Sequence, residues 1–156
     1  MASRSGGFRS LLIGVDGSRE ARQAVSFVTS LTPPPGGRVS VLRVVEPSRV
    51  PSLGLLPAGV RARLEAEMSN VRSAEMRAAQ RDVDRAVTQL ERSGWRARGE
   101  VRTGVPMAEL LAAIKRARAD LMVVGARGVG RVERVLLGSV AGAMTKGSPI
   151  PVLVVR

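Results

Sequence analysis

Between residues 125 and 141 the chain reads GARGVGRVERVLLGSVA. Gly125, Gly128, Gly130 and Gly138 fall within fourteen residues, with Arg127 and Arg131 among them and Ser139 directly after. Residues of these types suit anion binding. A glycine has no Cβ, so its backbone can approach a phosphate or ribose that a side chain would block. A Gly-Ser pair opening a helix offers free N–H groups, the positive end of the dipole and a hydroxyl. The same residues serve equally well as turn glycines, a loop hinge and a plain N-cap. The segment is not a Walker A sequence, because the later GAMTKGS has Lys146 before its glycine. Nor is it the GxGxxG dinucleotide fingerprint of a first βα turn. A second marked position is Asp16, in DGS, a favoured turn and cap residue by type.

The composition removes other chemistries. The chain has no cysteine and no histidine, which excludes disulfides, Cys/His metal sites and the Ser-His and Cys-His nucleophile pairs. Glu20, Glu46 and Glu133 form no recognisable acid–base pair, and nothing in the pattern positions a water for hydrolysis. The formal charge is +12, and of 25 basic residues only Lys115 and Lys146 are lysine. Such a field attracts polyanions, nucleotides included. The arginines are spread along the chain, however, and the aromatics number only Phe8, Phe27 and Trp95. Both facts argue against dedicated nucleic-acid binding.

Elements able to position these residues follow from periodicity. SLLIGV (10–15) is a continuous apolar run, as in a strand buried on both faces. Ser18 caps a helix with Ala21, Ala24, Val25, Val28 and Leu31 inward, ended by TPPPGG at 32–37. VSVLRVVE (39–46) reads as a strand and 47–59 as a loop. A long helix spans 60–92, with Leu64, Met68, Val71, Ala78, Val87 and Leu90 as its inner stripe. WRARGEVR (95–102) alternates like an edge strand. Pro106 opens a helix over 107–118 with Leu110, Leu111 and Ile114 inward. DLMVV (120–124) is a second fully apolar strand, followed by a short helix over 139–146 and a last strand, Pro151–Arg156. Alternation of strands and helices implies an α/β fold, a single doubly wound, five-stranded, mainly parallel sheet with helices on both faces. The two most apolar strands belong at its centre, giving the order 3-2-1-4-5. Asp16 and the glycine segment then converge on the switch point between strands one and four, where such sheets bind ligands.

At 156 residues the chain is read as one domain over 8–156, burying roughly 70% of its unfolded surface, behind a flexible leader over 1–7. Its N-terminal apolar run is too short for a signal peptide, and no run approaches the ~20 residues of a membrane span. A cytoplasmic protein is expected.

Gly125, two residues, Gly128, nine residues, then Gly138-Ser139 resembles the G-x2-G-x9-G-[S/T] motif of the universal stress protein family. The resemblance extends over about 8–156 through GVDGSREA, VLRVVEP, DLMVVGARG and SPIPVLVVR. It implies ATP, with or without Mg2+, as the bound cofactor. By that resemblance Asp16, flanked by Val15, meets the ribose region, and Val44 packs on the adenine. Val124 ends strand four, and the phosphates lie against Gly125, Gly128, Gly138, Ser139 and Val140; Arg127 and Arg131 are candidates by residue type alone to add charge there. It also implies a homodimer through Pro151–Arg156. Two departures are visible: Ala141 stands where a hydroxyl is common, and Arg43 where the family often carries histidine, at a position expected to touch no ligand. The function implied is an ATP-binding sensor or regulator in a stress response, with at most weak hydrolysis. The alternatives are a protein-interaction module with a vestigial nucleotide site, docking an unknown partner through the long helix or loop 47–59, and a slow ATPase.

Overall fold

The computed structural model describes residues 7–47, 53–127 and 137–156. Five strands, β1 (Ser10–Val15), β2 (Arg38–Val45), β3 (Arg96–Thr103), β4 (Leu121–Gly125) and β5 (Val152–Val155), form one sheet of order β3-β2-β1-β4-β5. Every pairing is parallel, and Ile13 of central β1 lies opposite Val41 on one side and Val123 on the other. Four α-helices alternate with them: α1 (Arg19–Thr29), α2 (Ala58–Arg92), α3 (Pro106–Ala117) and α4 (Ser139–Gly147).

Two steps from β1 run one way across the sheet, and the steps from β3 to β4 to β5 run the other. Right-handed crossovers then require the helices to change face. Accordingly α1 and α2 cover one side, over Leu11, Ile13, Val39 and Val41. The pair α3 and α4 covers the other, over Leu12, Leu42, Met122 and Val124. Alternate residues of β1 thus serve two cores, which is why its apolar run is continuous.

Local chemistry sets the boundaries. Ser18 is the N-cap of α1, accepting a hydrogen bond from the Ala21 N–H at 3.0 Å. Leu31, expected on the inner stripe of that helix, lies beyond its end and is exposed, because α1 stops at Thr29. Trp95 is buried just before β3 and donates its Nε1–H to the Val28 carbonyl at 3.2 Å, tying that strand to α1. Pro106 opens α3, and Arg118 ends it in the left-handed region at φ 47°. The Asp120 carboxylate accepts from the Arg9 and Ser10 N–H groups, both at 3.0 Å, and so clamps the start of β1 beside that of β4.

The long helix departs most from expectation. It begins at Ala58, inside the span read as loop, and its buried stripe is Ala79, Val83, Ala86 and Leu90. Val71, expected inward, is 65% exposed, and Leu64 and Met68 are only half-buried. Length explains this. At 1.5 Å per residue, α2 with its 35 residues is roughly 52 Å long, whereas an eight-residue strand spans roughly 26 Å. Only the C-terminal half has sheet beneath it. No helix among the described residues is long and apolar enough to cross a membrane. Residues 1–6 of the expected leader and 48–52 of the expected loop lie outside the described residues.

Candidate nucleotide-binding cleft

β1 and β4 are neighbours whose outgoing connections leave in opposite directions, and a cleft of about 370 Å³ opens at their carboxyl ends. After β1 the chain turns at Asp16, whose Oδ1 accepts the Ser18 N–H at 2.9 Å. That bond realises the turn role expected of an Asp in DGS. The second carboxylate oxygen has no protein partner among the described residues. Gly17 follows with φ +81°, and a Cβ there would lie 2.8 Å from an Asp82 carboxylate oxygen.

The other wall comes from β4 and α4. A Cβ on Gly125 would lie 2.6 Å from the Glu20 carbonyl carbon and 2.8 Å from the Ala21 nitrogen. Glycine at this position therefore allows the first turn of α1 to sit on the end of β4. This is a packing requirement, where room for a ligand was the expected one. Beyond it, the Gly138 N–H donates to the Ala126 carbonyl at 2.7 Å, and the Ser18 hydroxyl donates to the Arg127 carbonyl at 3.4 Å. The two ends of the glycine segment are thus pinned together beside the N-cap of α1.

Gly138 is the N-cap of α4, in extended backbone at φ −64°, ψ 165°, with no side-chain cap bond. The first helical bond runs from the Gly142 N–H to the Gly138 carbonyl at 2.8 Å. The N–H groups of Ser139, Val140 and Ala141 precede it and have no acceptor within the helix. Ser139 is therefore the first helical residue, not the cap, and its exposed hydroxyl does not serve the helix end. Partial positive charge concentrates here.

The cleft walls divide by polarity. Leu42, Val44, Pro106 and Leu110 make an apolar side, whereas Asp16, Glu46, Arg127 and Ser139 make a polar one. A flat apolar group and a polar, partly anionic one could be held together in such a cleft.

Val15, Asp16, Val44, Val124, Gly125, Arg127, Gly138, Ser139 and Val140, all singled out from the sequence, line this one cleft. Gly128, Gly130, Arg131 and Glu133 lie outside the described residues. Val15 and Val124 are 8% and 3% exposed and belong to the two cores, so what they present to the cleft is largely backbone.

Arg43, read as remote from any ligand, lines the cleft and forms an ion pair with Asp82 of α2. Strand alternation turns it away from Val44 toward the α2 face, where an unpaired guanidinium would be costly. Glu75 of α2 also reaches the rim. No local pattern marks it; it arrives because the helix outruns the sheet.

Residues 7–156 match the Universal stress protein family. The chain belongs to that family. A Thermus aquaticus universal stress protein is 31% identical over 152 residues, covering 96% of this chain and 99% of the relative. Methanocaldococcus jannaschii universal stress protein MJ0531 is 30% identical over 149 residues, covering 96% and 82%. Among solved structures, MJ0577 superposes with a TM-score of 0.78 at 22% identity, over 94% of each chain. A universal stress protein from Archaeoglobus fulgidus, solved in complex with dAMP, gives 0.65 at 15% identity over 94% of this chain and 97% of that one. One from Arabidopsis thaliana, solved with AMP bound, gives 0.60 at 14% identity over 93% and 89%. At these identities the structures share the fold of this universal stress protein.

Proposed function

We propose that the cleft binds an adenine nucleotide, ATP in the working state, and that the protein is a cytoplasmic, nucleotide-responsive regulator in a stress response. The observation that carries this reading is the start of α4. Three amides without helical acceptors, an exposed Ser139 hydroxyl and the Arg127 side chain border the same cleft as the apolar Val44 and Leu42. Phosphates would take the amide end and the adenine the apolar wall, with the free oxygen of Asp16 accepting from a ribose hydroxyl. Family members solved with AMP and dAMP support an adenine nucleotide. Asp, Glu, His and Cys side chains form no group of three able to hold a metal among the described residues. Mg2+ would therefore travel on the phosphates, keeping several of its waters.

The test is a melting curve with and without ATP, repeated in Gly138→Val. The extended backbone of Gly138 accepts a side chain, and no cap bond is lost. At 100 times its dissociation constant ATP adds about 2.7 kcal/mol, or about 5–10 °C for a chain this size. The shift is expected in the wild type and absent in the variant; an equal shift in both refutes the phosphate assignment. Phosphate release above the Gly138→Val background would identify a slow ATPase.

A second reading is favoured by the overrunning half of α2. Val60 and Val71 are 48% and 65% exposed there, and Leu55, just before the helix, is 99% exposed; Val71 lies one turn from the Glu75 that rims the cleft. A protein partner docked on that half would be captured whether or not nucleotide binds. Capture by an Asp16→Ala, Gly138→Val double variant separates this reading from the first.

The homodimer expected through the C-terminal strand is also a proposal. β5 is an edge strand, and its four residues are all half-buried. The Pro151 and Val155 carbonyls accept from the Met122 and Ala126 N–H groups, so Val152 and Val154 direct their backbone groups to the open edge. Val154→Pro removes one outward N–H and is expected to yield monomers by sedimentation while the fold persists.

A further inference from the structure

The side of the sheet covered by α3 and α4 has two helices for five strands, and α3 lies over β1 and β2, leaving β3 largely uncovered. Ala97 and Val101 of β3 turn toward the α2 core, and a Cβ on Gly99 would strike Val83 of α2. Arg96, Arg98, Glu100 and Arg102 therefore face the uncovered side. Arg38 and Ser40 of β2 stand beside Arg96 and Arg98 in register, and Arg116 approaches from α3. Between β3 and α3 lies a groove of about 280 Å³ whose helical wall is kept low by Ala113 and Ala117. The groove and the cleft share Leu42 but lie on different flanks of α3.

Arginines that looked scattered along the chain thus gather on one surface. Five arginines (Arg38, Arg96, Arg98, Arg102 and Arg116) share this side with Glu100, the one carboxylate of the groove, which pairs with Arg102 and Arg116. Three of them are also oriented. Arg38 donates its Nε–H to the Ser10 hydroxyl at 3.0 Å, Arg98 to the Ser40 hydroxyl at 3.1 Å, and Arg102 to Glu100 at 3.1 Å. A guanidinium tethered by Nε keeps both terminal nitrogens for an outside acceptor, with part of its rotamer entropy already spent. Arg116 donates to the other Glu100 oxygen at 2.7 Å, so the one carboxylate is occupied by groove arginines rather than facing a ligand. Alternate side chains along β3 repeat at roughly 6.6 Å, which makes a track rather than a point. No aromatic residue lines the groove, so nothing there stacks on a base.

We propose that this groove binds a linear polyphosphate anion, held through its phosphate oxygens by Arg98, Arg102 and Arg116, with Arg38 and Arg96 extending the track. Phosphate geometry alone would be read, without a base or sugar.

The test is binding of medium-chain inorganic polyphosphate to the full chain by competition anisotropy. Saturating AMP, which carries a single phosphate, is present throughout, so that the cleft does not contribute. Three double variants are compared: Arg98→Ala with Arg102→Ala, Arg98→Lys with Arg102→Lys, and Arg77→Ala with Arg81→Ala. The last pair removes the same charge from the exposed face of α2. The wild type is expected to bind with an affinity that falls steeply between about 50 and 200 mM salt. The groove alanine pair should lose at least about tenfold, the lysine pair should lose part of that because the fork is gone, and the α2 pair should lose less than about twofold. Equal losses in the α2 and groove pairs would reduce the effect to general charge and overturn the proposal. Absence of binding at the lower salt would also overturn it. So would a single-stranded oligonucleotide that binds as tightly and is lost in the same groove variants. Melting curves for each variant confirm that folded protein is compared, and the lysine pair keeps both charges if the alanine pair is unstable.

Discussion

The two concave surfaces flanking α3 are built from different parts of the chain. The anion end of the cleft at the switch point is made largely of backbone: the first turn of α4, the turn after β1, and β4 ending at a glycine that α1 covers. The β3–α3 groove is made of long side chains on a flat sheet, oriented by Nε bonds to hydroxyls and a carboxylate. Backbone donors are held by the fold and cannot be titrated away, whereas side-chain donors depend on their neighbours and on salt. The cleft should therefore be broken by adding atoms, and the groove by removing them.

The largest effect is expected from Gly125→Ala. Its new Cβ would press on the Glu20 and Ala21 backbone, which cannot move without shifting α1. A loss of about 2–3 kcal/mol in urea unfolding is expected, taking nucleotide binding with it. Below its midpoint the variant should retain polyphosphate binding, since the groove lies away from α1. If both activities fell together, the two sites would be one.

A middle-sized contrast comes from two serines at the starts of α1 and α4. Ser18→Ala removes the α1 cap and the bond to the Arg127 carbonyl, so about 1 kcal/mol of stability should go. Ser139→Ala removes no cap and should leave the melting midpoint within about 0.5 kcal/mol of wild type. Its ATP affinity should nevertheless fall about tenfold, as titration calorimetry would reveal. An unstable but fully binding Ser139→Ala would reverse the assignment.

The smallest effect belongs to Glu100. Partial burial works to raise its pKa, but hydrogen bonds and charge from Arg116 and Arg102 outweigh that and hold it below the ordinary 4.5. A lowered folded pKa means that the interaction stabilises above the ordinary carboxylate value and is lost as pH falls through the lowered one. Glu100→Gln should cost less than about 1 kcal/mol at neutral pH, because the pair is exposed. Wild type and variant should converge in melting temperature in acid. The same substitution removes the groove's one negative charge, so polyphosphate should bind more tightly at pH 7.

Much of the cleft could be read before the fold was seen. Two uniformly apolar runs, SLLIGV and DLMVV, marked the central strands, and alternation with helices dictated parallel pairing and a switch point beside Asp16 and Gly138. Backbone requirements leave glycines in the sequence, and glycines at fixed spacing are legible. The reason for an individual glycine is less so: Gly125 accommodates a helix that is remote in sequence. The place of Arg43 at the cleft is not legible along the chain, because its partner, Asp82, sits on α2, in contact only after the strand's alternation is known. The inner stripe of α2 was misread because periodicity reports which residues are apolar, not how far the sheet extends beneath them.

Fold class, strand order, the absence of cysteine and histidine chemistry, and the loops that meet at the switch point are all legible along the chain. Those properties follow from local propensity, hydrophobic period and connection rules, which act within one element or between neighbours in the chain. Folding in three dimensions was needed to bring Glu75 to the cleft rim, to pair Arg43, and to set arginines of β3 and α3 in one groove. Each of those depends on strand register and helix length in three dimensions, and side chains brought together by register carry no mark of it along the chain.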